Sequence, residues 1–173
     1  AAHDAGFEYL SGMVGFAYLS LDEDQRPEGW TDEYIRAVTY HDPVPLDFEE
    51  RIHVFELANL DDLEPDEEGL IVVNGGGIGE ISSMADGRKN CFPDCVLTIE
   101  DIDEIFRLVD EALELRDPSR IAKLNLHIPV NTYTEKNEEI LRYFLDGMEG
   151  YVESGEIQWG TQLEVFEAYE RVN

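Results

Sequence analysis

Apolar positions along this chain fall into short runs with the two-residue alternation of strands and longer stretches with the spacing of helices. Phe7-Glu8-Tyr9-Leu10-Ser11 and Arg51-Ile52-His53-Val54-Phe55-Glu56-Leu57 alternate as half-buried strands do. Leu70-Ile71-Val72-Val73 is a continuous apolar run of the kind buried on both faces of a parallel sheet. Thr98 is placed as an N-cap with Asp101 three residues on, a variant of the capping box, and opens a helix to about Arg116. Its Ile102, Ile105, Phe106, Val109 and Leu113 make one stripe, and Asp117-Pro118 ends it.

The segment Ile121 to Ile128 reads as the next strand, and a second long helix starts at Thr134 or Glu135 and runs to about Glu153. A short strand Glu156 to Gly160 and a helix Gln162 to Val172, with Leu163, Phe166 and Tyr169 inward, complete the pattern. Strand, helix, strand, helix in this order predicts parallel pairing through right-handed crossovers. Residues 22–50 carry Pro27, Gly29, Pro43 and Pro45 as breakers and read as a long loop insertion, with one short helix-like stretch from Asp32 to Ala37. Residues 1–6 look like the last turn of a helix ending at a glycine cap, an opening that places the start of the chain in mid-domain. The expected organisation is one α/β domain over residues 1–173.

Charge changes the picture of partners more than of fold. The chain has 12 basic and 40 acidic residues and a net charge of −28. Such a field repels phosphate backbones and anionic lipid, so nucleic acid and membrane are excluded as expected partners. Lysine is scarce, with only Lys89, Lys123 and Lys136. An acid-rich, lysine-poor surface is what salt-adapted proteins use, because salt screens the self-repulsion; this points to a halophilic source, with a mesophilic protein that is simply acidic as the alternative. No run approaches the roughly 18 apolar residues of a membrane span, and Ala1-Ala2-His3-Asp4 does not begin a signal peptide. The compartment is left between the cytoplasm of a halophile and secretion with the leader outside this sequence.

Few residues carry a chemical signal. His127 stands at the carboxyl end of a predicted strand, where parallel α/β folds collect reactive groups, and histidine exchanges protons near neutral pH. A satisfied structural histidine is the competing reading. His41 and His53 have no ligand spacing and read as a loop and a strand residue. Cys91 and Cys95 in Cys-Phe-Pro-Asp-Cys read as a local staple or two thiols rather than half of a zinc site. Asn74-Gly75-Gly76-Gly77-Ile78-Gly79 is not a phosphate loop: Glu80 breaks the glycine pattern and no lysine follows. It is a loop at a strand's end, and Asn74 is placed at a ligand cleft. Trp30 and Tyr40 in the long insertion are candidates for stacking on a sugar ring, with an anchoring role as the alternative.

Leu124-Asn125-Leu126-His127, a polar loop, a long helix, Gly155, and Ile157-Gln158-Trp159-Gly160-Thr161-Gln162-Leu163-Glu164 together resemble the last motif and tail of the polysaccharide deacetylases. The opening Ala1-Ala2-His3-Asp4-Ala5-Gly6-Phe7 is similar to the helix and strand after that family's arginine-proline motif. The resemblance implies the C-terminal part of an incomplete (β/α) barrel with parallel strands, and a metal-dependent hydrolase of N-acyl groups on carbohydrate. It implies that His127 stands where the general acid protonates the leaving amine. Ile128 replaces the aspartate that usually follows that histidine.

The family's metal-binding aspartate and histidine pairs have no counterpart in this sequence. A divalent, zinc-type metal is therefore expected only with a missing N-terminal half, and the chain alone is expected to be inactive. An incomplete barrel exposes a sheet edge, which predicts that missing half or a second copy as partner. The alternatives are a non-catalytic saccharide-binding or structural barrel relative, and a doubly wound, flavodoxin-like domain.

Overall fold

The computed structural model describes residues 6–10, 26, 29, 31, 48–57, 70–73, 79–80, 96–128 and 130–172. The chain is an α/β protein. In chain order the elements are β1 (Tyr9–Leu10), α1 (Phe48–Arg51), β2 (Phe55–Leu57), β3 (Leu70–Val72), β4 (Gly79–Glu80), α2 (Ile99–Leu115), β5 (Leu126–His127), α3 (Glu138–Glu153) and α4 (Gln162–Val172). Two 3-10 turns, Val130–Thr132 and Glu135–Asn137, precede α3. The chain divides into two compact units, one of residues 1–77, 116–123 and 161–173, the other of residues 78–115 and 124–160.

In the first unit β1, β3 and β2 form a sheet in that order. β1 runs parallel to β3, with Tyr9 opposite Ile71 and Leu10 opposite Val72. The apolar run takes the central strand, and Leu70, Ile71, Val72 and Val73 are all buried. β2 runs antiparallel to β3, with Glu56 opposite Ile71, against the all-parallel expectation. Parallel pairing of successive strands needs a crossover, and the acidic run from Asp61 to Glu68 lacks the apolar spacing to build one. Arg51 belongs to α1 rather than to the following strand, so the end of the long insertion is a helical turn. The core here gathers Val54, Ile71 and Val73 with Tyr9, Ile121, Val165, Phe166 and Tyr169. The Tyr9 and Phe166 rings stack with centroids 4.8 Å apart. Leu163, expected inward on α4, is exposed, and Val165 takes its place.

The second unit is built on α2 and α3. Thr98 and Asp101 close the expected capping box: the Thr98 N–H donates to Asp101 Oδ2 at 2.7 Å and the Asp101 N–H to Thr98 Oγ1 at 3.4 Å. The α2 stripe is the core, with Ile102, Ile105 and Val109 fully buried against Leu97, Phe144 and Met148. Burial of each such side chain contributes about 1.5–3 kcal/mol. Tyrosine hydroxyls bridge the two helices, Tyr143 to Asp103 at 2.8 Å and Tyr151 to Asp110 at 2.6 Å.

The helices come close at Gly147, where an added Cβ would run into the Phe106 ring. That ring is held among Tyr143, Phe144 and Tyr151 at centroid distances of 5.7, 6.4 and 6.2 Å. Gly147→Ala is therefore expected to destabilise the protein by about 1–2 kcal/mol, overpacking outweighing the gain in helix propensity. Urea denaturation checks this, and a stabilised variant would show that Phe106 gives way freely.

Two predicted strands are redistributed. The segment from Ile121 serves two partners: Ala122 bridges His53, while Leu126–His127 pairs with β4. Residues 156–160 form no strand. Gly155, at φ +77°, turns the chain after α3, and the amides of Glu156 and Ile157 then donate to the Tyr151 carbonyl instead of to a neighbouring strand. Among the described residues the strands make a three-stranded and a two-stranded sheet, without barrel closure.

Candidate functional site

β5 lies parallel to β4, with Leu126 opposite Gly79 and His127 opposite Glu80. Alternation along the strand turns Leu124, Leu126 and Ile128 toward the core of the second unit and leaves His127 exposed. Ile128, at the position where the resemblance expects aspartate, is thus a packing residue. No carboxylate at that position is available to orient His127.

The chain leaving β5 is braced from behind. Asn137 is fully buried; its Oδ1 accepts the Leu97 N–H at 2.9 Å and its Nδ2 donates to the Thr132 carbonyl at 2.8 Å. One amide side chain therefore ties the segment before α2 to the turn after His127. Nothing in the spacing of Asn137 marks this role, because an asparagine before a helix reads simply as a cap. Beyond the turn, Tyr133 stands exposed at the edge of a shallow groove that Leu141 and Leu145 floor, beside Glu135, Glu138 and Arg142. Arg142 pairs with Glu138 at 3.1 Å.

Trp30, Tyr40 and Asn74 lie outside the described residues, as do His41, Cys91, Cys95 and the helix-like stretch from Asp32 to Ala37. His53 is buried with both ring nitrogens committed: Nδ1 lies 2.7 Å from the Glu49 carbonyl, and Nε2 accepts the Asp117 N–H at 3.0 Å. Among the described residues no group of three or more His, Cys, Asp or Glu side chains can hold a metal. The described donors do not fit a catalytic metal.

A titratable group the sequence reading passed over is Lys123. It is buried, with Nζ donating to the Arg51 carbonyl at 2.8 Å and lying 5.8 Å from the centre of the Phe55 ring. Burial, helped by the positive charge of Arg51, pushes its pKa down to about 7. Its one signal in sequence is a lysine within an apolar strand pattern of a lysine-poor chain.

Two features that carried the family resemblance have local structural causes. Thr161 and Glu164 form a capping box at the start of α4, the Thr161 N–H donating to Glu164 Oε2 at 2.7 Å and the Glu164 N–H to Thr161 Oγ1 at 3.2 Å. The backbone bond from Thr161, followed by its hydroxyl, holds the Glu164 carboxyl below its usual range. Gly155 is the left-handed residue that ends α3. Helix starts and stops require such residues whatever the family. No family model matches the chain, and no curated protein or solved structure is significantly similar to it.

Proposed function

We propose that this chain contributes the closing part of a deacetylase-like (β/α) barrel that hydrolyses N-acyl groups on carbohydrate, with His127 donating a proton to the leaving amine. The observation that carries this reading is the placement of an exposed histidine at the carboxyl end of a strand in a parallel pair. An exposed imidazole at a strand end has the chemistry of a general acid. Tyr133, six residues on and exposed, offers an aromatic face for a sugar ring. The net charge of −28 disfavours anionic polymers and leaves neutral or cationic saccharides as ligands.

A second reading, a non-catalytic saccharide-binding relative, is favoured by Ile128, whose packing role removes the carboxylate expected beside the histidine. The two readings separate in one experiment on the protein that carries this chain. It is titrated with N-acetylglucosamine oligomers while the His127 ring resonances are followed, and acetate release is assayed with zinc supplied. The catalytic reading expects saccharide binding and turnover that falls about 10²- to 10⁴-fold in His127→Ala with little change in affinity. Binding without turnover supports the second reading, and a protein that binds no saccharide removes both.

A further inference from the structure

The stretch 117–123, between α2 and β5 in sequence, lies along residues 49–54 in the first unit, and five contacts are among those that tie it there. The Lys123 N–H donates to the Ile52 carbonyl at 2.7 Å and the Val54 N–H to the Ile121 carbonyl at 3.0 Å. Lys123 Nζ donates to the Arg51 carbonyl at 2.8 Å, and Arg120 pairs with Glu50 at 3.1 Å. The fifth contact is the Asp117 N–H donating to His53 Nε2 at 3.0 Å.

This fifth contact depends on the protonation state of the ring. The Glu49 carbonyl only accepts, so Nδ1 of His53 must carry a hydrogen to bond it at 2.7 Å. The Asp117 amide only donates, so Nε2 must present its lone pair. Both bonds are made only by the neutral imidazole with its hydrogen on Nδ1. A second proton on Nε2 would point N–H at N–H, and a ring that is 0% exposed has no water to take up the new donor.

We infer that His53 is an acid-sensitive clasp: uptake of a second proton breaks its bond to Asp117 and loosens the start of the 117–123 stretch, while the contacts from Arg120 to Lys123 remain. The charged groups around it set the balance. Asp117 favours an imidazolium electrostatically, but its Oδ1 already accepts from the Ser119 amide at 2.8 Å and hydroxyl at 2.7 Å. Glu49 and Glu50 on α1 are exposed, and Glu50 is engaged by Arg120. On the same stretch of chain Arg51 and the buried Lys123 carry positive charge, and Arg51 lowers the pKa of Lys123. Lys123 acts in the same direction as His53, since acidification places a charge on its buried amine as well.

The test is an NMR titration of the whole chain that follows the ring nitrogens of His53 and hydrogen exchange at the Asp117 amide, corrected for intrinsic exchange. At neutral pH the ring is expected as the tautomer protonated on Nδ1. As it takes up its second proton, protection at Asp117 is expected to fall by at least about tenfold in step. His53→Gln, which supplies one donor and one acceptor but takes up no proton, is expected to keep its protection through the same range. Lys123→Met is expected to retain the step, which separates it from titration of the lysine. The inference is overturned by a ring protonated on Nε2 at neutral pH, or by one that stays neutral until the protein unfolds. It is overturned equally by protection unchanged across the ring's titration, or by a glutamine variant that loses protection as the wild type does. The tautomer is read on the wild-type protein and decides the matter even where the glutamine variant does not fold.

Discussion

Asn137→Ala is expected to destabilise the protein by about 3 kcal/mol. The substitution leaves the buried Leu97 N–H without its side-chain partner and takes one hydrogen bond from the Thr132 carbonyl, which keeps the Thr134 N–H at 2.9 Å. An unsatisfied buried group costs about 1–3 kcal/mol, and the hydrogen bond lost at Thr132 adds about 0.5–1.5 kcal/mol. Thr132 is itself fully buried, so water does not replace the lost amide without opening the turn. Asn137→Asp is the informative control. It keeps an acceptor for Leu97 but sets a carboxylate oxygen against the Thr132 carbonyl, and is expected to be no better than alanine. Urea denaturation of the three proteins measures this. A loss below about 1 kcal/mol for alanine would mean that the turn after His127 is held by something other than this side chain.

Lys123→Met is expected to stabilise the protein at neutral pH and to give no gain in alkali. The folded-state pKa of Lys123 lies near 7, below its ordinary 10.5. For a group whose folded pKa is lowered, the contribution to stability is fully present above the unfolded value and is lost as pH falls through the folded one. Wild-type stability should therefore rise from about pH 7 toward 10.5 through this residue. The full interval corresponds to about 5 kcal/mol as an upper bound. Methionine removes the buried charge but also the bond to the Arg51 carbonyl, so a net gain of about 2–3 kcal/mol is expected at pH 7 and below.

Two tyrosines limit the alkaline side of that experiment. Desolvation, with Asp110 beside Tyr151 and Glu56 beside Tyr169, pushes both phenols up to about 12. Raised pKa values contribute stability that is present below the ordinary phenol value of 10 and is lost as pH rises through the folded one, the opposite slope to that of Lys123. The comparison is best made by thermal unfolding between pH 6 and about 9.5, with the gap between variant and wild type narrowing as pH rises. A gap independent of pH over that range would show that Lys123 stays charged in the folded protein.

The helices were legible because their signals are local. The stripe of Ile102, Ile105 and Val109 names the buried face of α2 without reference to any partner, and Thr98 with Asp101 names its start. The central strand was legible for the same reason: four consecutive apolar residues must be covered on both sides. Charge likewise reads directly from composition. The strand-end position of His127 was legible in the same way, and its exposure follows from alternation with Leu126 and Ile128.

What lay beyond the sequence was which groups meet across long separations. Residues 156–160 have the composition of a strand, yet their first amides are taken by Tyr151, a competition that only the end of α3 decides. The antiparallel setting of β2 on β3, and the division of the stretch from Ile121 between two partners, are choices among pairings that alternate equally well in sequence. His53, Lys123 and Asn137 each bond a backbone group far off in sequence, 64, 72 and 40 residues away. Hydrophobic periodicity fixes which face of an element is buried because burial depends on area alone. A buried polar side chain depends instead on the direction and position of one partner atom, and that is set only when the tertiary structure brings the two together.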